Sequence, residues 1–136
     1  ADTVSTIGDI VRRGETLLAE SDPDADPTAE LLAELGGFMN FNHGLLEALG
    51  VSSRSLDSMV WAAREAGAHG AKLTGAGGGG CIVALDPTPE TQTGLRFTPG
   101  CEDAFRAELA TDGVRVEEPP AQGASEADSQ SSEESP

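Results

Sequence analysis

The chain opens with apolar residues at the spacing of amphipathic helices. Between Val4 and Leu18 they recur at intervals that place them on one face of a helix. The segment 21–27 holds three aspartates and two prolines, so it predicts a turn. A second helix is expected to begin after the capping residue Thr28 and to end at Gly50, because each residue type is favoured at that helix end.

A third helix is expected to follow, with Ser52 or Ser53 as its cap and Gly67 as its stop. Four apolar residues at helical spacing would face inward from it, namely Leu56, Met59, Val60 and Ala63. After Gly70 the pattern changes to short apolar runs separated by glycine and proline. The amino-terminal half of the chain is therefore predicted to be helical.

The second half of the sequence predicts strands and connecting segments. Residues 71–74 are expected to be short and extended, and the apolar run Cys81–Leu85, which holds two β-branched residues, predicts a buried strand. Residues 87–93 are predicted to form a loop, and 94–97 an edge strand or more loop. Phe105 and Leu109 favour an amphipathic helix over 101–109, and 112–113 predicts a turn into a strand at 114–116.

Helices followed by strands, a further helix and a last strand indicate an α+β fold with helices packed on a small, mainly antiparallel sheet. Residues 1–117 are expected to form one domain, since they carry all the periodic apolar segments. Residues 118–136 are rich in serine and glutamate and contain no aromatic residue, so they predict an acidic, disordered tail.

The chain is strongly acidic, with 24 Asp and Glu against 8 Lys and Arg and a formal net charge of −16. This balance excludes nucleic acid as a partner and disfavours an anionic membrane surface, because both need clustered cations. Lys72 is the only lysine. Acidity with scarce lysine is typical of proteins that work in concentrated salt, so we expect a halophilic source. The alternative is that the acidic tail alone inflates the count.

Two cysteines, Cys81 and Cys101, are too few for a disulfide framework and lack the spacing of a zinc site. They favour free thiols and therefore a reducing cytoplasm. No stretch approaches the roughly 20 apolar residues of a membrane helix. The chain starts without Met or a signal peptide, so we expect it to be cut from a longer protein.

The segment with the clearest chemical signal is the loop 75–80, which has five glycines in six positions. Glycines are retained in such runs where the backbone adopts positive φ or approaches another group closely. Successive amides in such turns can cradle a phosphate or carboxylate. The alternative is a flexible hairpin loop, but its place between apolar strands favours an anion site. A dinucleotide fingerprint is excluded because a strand follows the glycines, and a P-loop because Lys72 precedes them.

The segment Gly70–Cys81 resembles the third conserved motif of the GHMP small-molecule kinases, in the form typical of the mevalonate kinase branch. Residues 39–46, 49–52 and 56–57 resemble that family as well, and the resemblance covers roughly residues 4–117. Galactokinase-like relatives carry a related loop with different residues, so a sugar kinase is the weaker match.

The resemblance implies a ferredoxin-like α+β carboxy-terminal domain of a two-domain enzyme. Such an enzyme transfers the γ-phosphate of ATP, with Mg²⁺, to the terminal hydroxyl of mevalonate in isoprenoid biosynthesis. The ATP-binding loop, the Mg²⁺ ligands and the catalytic residues would lie in a missing amino-terminal domain, so this chain would hold no catalytic residue and would be inactive alone. A homodimer stays open.

The same resemblance assigns the cleft lining of this chain to the glycine loop. Its backbone would line the cleft and support the phosphate-binding loop through Thr74, Gly75, Ala76, Gly77, Gly78 and Gly79. Lys72 is a candidate cleft cation, with surface solubility as the alternative role. Two other functions stay open: a non-catalytic regulatory module that binds an anion or metabolite, and another GHMP kinase acting on a sugar or on phosphomevalonate.

Four further residues need an interpretation. His43 has no acidic or metal partner visible in the sequence, so we expect a structural role. Asn42 lies on an apolar stripe and is expected to hydrogen-bond backbone of the glycine loop. Cys81 is expected to pack within its strand, and Trp61 to be a core or interface residue.

Overall fold

The computed structural model describes residues 2–75, 80–85, 88–109 and 113–120. The chain divides into two compact units, residues 1–106 and residues 107–136. Within the described part, the first unit contains four helices and one antiparallel pair of strands. In chain order these are α1 (Thr3–Glu20), α2 (Ala29–Ala48), α3 (Arg54–Glu65), β1 (Gly70–Thr74), β2 (Cys81–Leu85) and α4 (Pro89–Arg96).

The second and third helices begin and end where their capping residues predict, and the first covers the predicted segment 4–18. The Thr28 hydroxyl accepts a hydrogen bond from the Leu31 amide at 3.1 Å, and the Ser53 hydroxyl accepts one from Leu56 at 3.2 Å. Gly50 and Gly67 follow α2 and α3 with φ angles of 77° and 100°, which glycine adopts without strain. The predicted helices and their bounds are therefore confirmed.

The core lies between α3 and the hairpin formed by β1 and β2. The four inward residues predicted on α3 are all buried, as are Ala71 and Leu73 of β1. Ile82 and Ala84 of β2 pack against the same clusters. Helices packed on a small antiparallel sheet confirm the predicted α+β class.

Helix α2 approaches β1 so closely that the contact is backbone against backbone. A Cβ on Gly36 would overlap the carbonyl of His69, and a Cβ on Gly70 would overlap the backbone of Gly36. Two glycines facing each other allow this approach because neither carries a side chain. The contact brings the side chains of α2 within hydrogen-bonding distance of β1.

The sequence predicted that β2 would be buried, but one face of the strand is exposed. Cys81 is exposed and Val83 is 46% exposed, because α3 covers the opposite face of the hairpin, where Ile82 and Ala84 lie. A continuous apolar run is typical of strands covered on both faces. In the described part of the unit, Cys81 therefore does not pack into the core, and that prediction was wrong.

Residues 89–96 form α4, so the prediction of a loop followed by an edge strand was wrong. Pro89 lies in the first turn, where its missing N–H costs nothing. The fully buried Thr91 donates a hydrogen bond to the Ala66 carbonyl at 2.9 Å, and Leu95 packs on the core. These tertiary contacts hold a helix whose sequence has little apolar periodicity.

The helix predicted over 101–109 does not form. Side chains of α4 bind the Ala104 carbonyl instead, with Gln92 Nε2 at 2.8 Å and Arg96 Nη2 at 2.9 Å. Phe105 is 79% exposed and Leu109 is 97% exposed, so the two apolar residues that favoured a helix are not covered and do not stabilise one.

The described residues of the second unit, 107–109 and 113–120, have no helix or strand, so the strand predicted at 114–116 was wrong. Val114 and Val116 are fully exposed, and no strand pairs with them in the described part of this unit. Of the predicted disordered tail, residues 121–136 lie outside the described part.

Candidate functional site

The glycine loop connects the two strands of the hairpin. Thr74 is paired with Cys81, so the two strands are in register up to the residues that flank the loop. Gly75 and Gly80, at the two ends of the loop, have φ angles of 80° and 145°. Both angles fall in the region that favours glycine, as the run of glycines predicted. Thr74 and Gly75 are exposed.

Four of the predicted loop residues, Ala76, Gly77, Gly78 and Gly79, lie outside the described residues. The structure thus fixes the two ends of the loop and the strands that carry it. Whether the amides between these ends bind an anion stays a prediction.

Lys72 lies on β1, two residues before Thr74, the last residue of the strand, and is half-buried. Its ammonium donates a hydrogen bond to the carbonyl of Leu73 at 2.9 Å. Burial lowers the pKa of Lys72, because loss of water disfavours the charged form. A cation is therefore held on the strand that leads into the loop, while its role in the cleft stays a prediction.

The outer edge of β1, which we define as the N–H and C=O groups of Ala71 and Leu73, bonds to side chains. Asn40 Oδ1 accepts from the Ala71 amide at 3.0 Å, and the Ala71 carbonyl accepts from Arg64 Nη2 at 3.1 Å. The Leu73 amide donates to His43 Nδ1 at 3.1 Å. Side chains from two helices thus satisfy this edge in place of a third strand.

These bonds change the interpretation of α2. Asn42 is buried, yet the side chains that hold β1 are those of Asn40 and His43, one helical turn apart on α2. The loop residues that were predicted to bond with Asn42 lie mainly outside the described part. Three- and four-residue spacing on a helix puts side chains on one face, and this spacing could have indicated the pair.

His43 is 2% exposed and has acidic partners that the sequence did not reveal. Its Nε2 lies 3.0 Å from Asp57 Oδ1 and 3.8 Å from Glu47 Oε1. The Ser52 hydroxyl donates to the same Asp57 oxygen at 2.6 Å. The three side chains His43, Glu47 and Asp57 also bring possible metal-ligand atoms within 4.8 Å of one another.

Asp57 is held as a carboxylate by these partners. Burial acts to raise the pKa of Asp57, but the hydrogen bonds from Ser52 and His43 outweigh it, and the pKa lies below its ordinary value of 3.8. The network could not be predicted from sequence, because it depends on how α2 and α3 pack against each other.

Beside this network, an open groove of about 570 Å³ runs along α3. Asp57 and Ser52 lie at one end of its lining, and Trp61 lies farther along the helix. Trp61 is 59% exposed, with the Arg64 guanidinium 5.5 Å from its ring centre. It is therefore no core residue in this unit, and an interface role stays a prediction.

Within the described part, no helix combines the length and apolar character that crossing a bilayer requires.

The sequence also matches known proteins over the segment that carries these features. The family described as "GHMP kinases C terminal" matches residues 18–96. A mevalonate kinase of Pyrococcus horikoshii is 52% identical over 91 residues, which cover 65% of this chain and 27% of that protein. A mevalonate kinase of Thermococcus onnurineus is 42% identical over 114 residues, covering 83% and 33%.

A solved structure of mevalonate kinase from L. major, in complex with R-mevalonate, is also similar to this chain. It shares 33% sequence identity at a TM-score of 0.58, over 71% of this chain and 28% of that one. The chain spans about a third of the length of the curated relatives it matches. Because the family match extends over more than half of its residues, including β1, the glycine loop and β2, this chain belongs to the GHMP kinases and carries their carboxy-terminal domain.

Proposed function

We propose that the whole protein transfers the γ-phosphate of ATP to the terminal hydroxyl of mevalonate and yields 5-phosphomevalonate. The observation that carries this proposal is the match between this chain and relatives named mevalonate kinase, up to 52% identical. The R-mevalonate bound to the similar solved structure supports the choice of substrate. Sugars and phosphomevalonate are the alternative substrates, and a regulatory module without catalysis is the alternative function.

In this proposal the chain supplies one wall of the active-site cleft through its glycine loop. The amides from Gly75 to Gly79 would face the transferred phosphate and stabilise its negative charge. The positive φ angles at both ends of the loop support such a turn. Lys72 would add a positive charge next to the loop, as cations commonly do in phosphoryl transfer.

The remaining requirements of the reaction fall outside this chain. ATP would be bound with Mg²⁺, and we place the Mg²⁺ ligands and catalytic residues in the preceding part of the protein.

The two free cysteines support a reducing, cytoplasmic location. The net charge of −16 supports work in concentrated salt and a halophilic source, and argues against nucleic acid. A homodimer is compatible with the proposal.

The direct test is release of ADP by the full-length protein supplied with MgATP and R-mevalonate. We expect turnover with mevalonate and much less with galactose or phosphomevalonate. The 136-residue chain alone should show none, and turnover by it would contradict the proposed division of the site. Absence of turnover with all three substrates would favour the regulatory module.

A pair of glycine variants tests the role of the loop. Gly75 and Gly50 have φ angles of 80° and 77°, and a Cβ on either would meet no atom of the described residues within 4 Å. Gly75→Ala and Gly50→Ala should therefore carry similar backbone strain, about 1–2 kcal/mol each. Only Gly75 borders the loop, so we expect kcat to fall roughly ten-fold or more in Gly75→Ala alone, because positioning of the phosphate is lost. Equal kcat in the two variants would contradict a role for this loop.

A further inference from the structure

His43 is the buried titratable side chain that links three parts of the first unit. It is placed by α2, bonds to β1 through Nδ1 and bonds to α3 through Nε2. At 2% exposure it reaches no bulk water that could replace a lost partner. A buried polar group needs such partners, so the identity of each bond constrains the chemical form of the ring.

The bond to β1 determines which ring nitrogen carries the proton. The Leu73 amide can only donate, so Nδ1, which lies 3.1 Å from it, must offer a lone pair. A neutral imidazole with a bare Nδ1 carries its proton on Nε2. That nitrogen lies 3.0 Å from Asp57 Oδ1, and the carboxylate accepts its proton as a hydrogen bond.

The carboxylate of Asp57 is itself held in place. The Ser52 hydroxyl donates to Oδ1 at 2.6 Å, so one oxygen accepts from Ser52 and from His43 together. Every hydrogen bond of this network therefore donates toward Asp57. Ser52 donates to Asp57 directly, and the Leu73 amide donates to His43, which in turn donates to Asp57. Exchanging the tautomer of His43 would place two N–H groups against each other at Leu73.

The same geometry argues against a metal ion at His43, Glu47 and Asp57. A metal would bind Nε2, which then has to lose its proton. Because Nδ1 already accepts the Leu73 amide, the ring would become an imidazolate, a form that is costly without strong stabilisation. The cluster is better explained by its hydrogen bonds.

Among the described residues, the bond at Leu73 is the hydrogen bond between α2 and β1 that lies nearest to the glycine loop. Asn40 holds Ala71 two residues earlier, and Thr74 and Gly75 follow Leu73 directly. On its outer edge β1 is therefore fixed last at the Leu73 amide, one residue before Thr74, which pairs with Cys81 of β2.

We propose that His43 and Asp57, with Ser52, are positioning residues that fix the tautomer of the imidazole. They thereby hold β1 in the orientation in which it leads into the glycine loop. In this proposal they act through the Leu73 amide and not by contact with a reacting atom. The inference rests on the proposed function for its effect on catalysis, whereas the hydrogen-bond network itself can be tested without any activity.

The first experiment measures the network directly in the full-length protein. Labelling histidine with ¹⁵N should show His43 with an unprotonated Nδ1 and a protonated Nε2 at neutral pH, with the resonances assigned by their loss in His43→Asn. Hydrogen exchange should show the Leu73 amide protected in the wild type and exposed in His43→Ala. A proton on Nδ1, or unchanged exchange at Leu73, would overturn the proposal.

The second experiment measures catalysis in matched variants. His43→Ala removes the acceptor, His43→Asn can return an amide oxygen near Nδ1, and Thr91→Val removes a buried bond to the Ala66 carbonyl away from β1. We expect kcat to fall roughly ten-fold or more in His43→Ala, with KM for mevalonate little changed, and to recover partly in His43→Asn. Thr91→Val should keep the wild-type kcat.

The outcomes separate the two proposals. An equal fall of kcat in His43→Ala and Thr91→Val would show a merely structural role and overturn the positioning proposal. A wild-type protein that is inactive with mevalonate would overturn the proposed function alone, because the tautomer and the exchange of Leu73 still decide whether the network holds the strand.

Discussion

At the scale of single residues, the fold depends on two glycines that face each other across α2 and β1. Gly36 and Gly70 leave no room for a Cβ, because each would overlap backbone of the other element. Backbone atoms cannot move aside as a flexible side chain can, so a substitution would push the helix away from the strand. The bonds of Asn40 and His43 to β1 would then lengthen as well.

This contact predicts opposite effects for two neighbouring glycines of α2. Gly36→Ala should destabilise the chain by about 2–4 kcal/mol, as overpacked core substitutions do. Gly37 is exposed and a Cβ there would meet nothing within 4 Å, so Gly37→Ala should stabilise it by about 0.5–1 kcal/mol through helix propensity. Urea unfolding followed by fluorescence of Trp61 measures both, and a loss at Gly37 or a neutral change at Gly36 would contradict the packing.

At the scale of elements, α3 is joined to α2 by the carboxylate of Asp57 rather than by apolar contacts alone. Its donors Ser52 and His43 come from the connection before α3 and from α2. The pKa of Asp57 is lowered in the folded chain, so the folded state holds the ionised form more strongly than the unfolded state does.

The sign of this effect gives a pH dependence. The stabilisation by Asp57 should be fully present above its ordinary pKa of 3.8 and should fade as the pH falls through the lower folded value. Asp57→Asn, which cannot titrate, should therefore be less stable than the wild type at pH 7, and the difference should shrink in acid. Urea unfolding from pH 7 to pH 3 measures this difference. Ser52→Ala removes one donor to Asp57, so in that background the stability difference between Asp57 and Asp57→Asn should shrink at a higher pH. A difference that stays constant from pH 7 to pH 3 would contradict the assignment.

Elements with strong local signals were predictable and those held by tertiary contacts were not. The first three helices combine periodic apolar residues with caps such as Thr28 and Ser53, all encoded within a few residues. Helix α4 offers only Leu95 as a large apolar residue and forms through the bond of Thr91 to Ala66. The segment around Phe105 has helical spacing, but side chains of α4 bind its backbone instead.

The candidate site also combines features that were predictable from the sequence with features that were not. The glycine loop was visible in the sequence, because five glycines in six positions indicate a backbone that needs positive φ or a close approach. The partners of His43 were not, since Asp57 lies 14 residues away on another helix and meets it only after the helices pack. Asn40, which holds Ala71, gave no stronger signal than the neighbouring Asn42.

At the scale of the whole molecule, the feature that most affects stability is the net negative charge. With a net charge of −16 over 136 residues, like charges repel one another and oppose the compact state at low ionic strength. Salt shortens the range of this repulsion, from about 10 Å at 0.1 M to about 3 Å at 1 M. Stability should therefore depend on the ionic strength of the medium.

We expect the midpoint of thermal unfolding to rise when KCl is increased from about 0.1 M to about 1 M at pH 7, because the repulsion is screened. The rise should vanish near the isoelectric point of about 4.1, where the net charge is close to zero. The salt series at that pH is the control. Differential scanning calorimetry measures both series. A midpoint that is flat or falls with KCl at pH 7 would contradict the view that acidity is an adaptation to concentrated salt.

The side chains that occupy the outer edge of β1 have one more consequence, for association between chains. Exposed strand edges are templates on which other chains add strands and begin to aggregate. Here Asn40, His43, Arg64 and Lys72 already use the groups that an incoming strand would need. Cross-chain pairing at this edge would first have to displace four side chains, so the hairpin is guarded on this side against growth into fibrils.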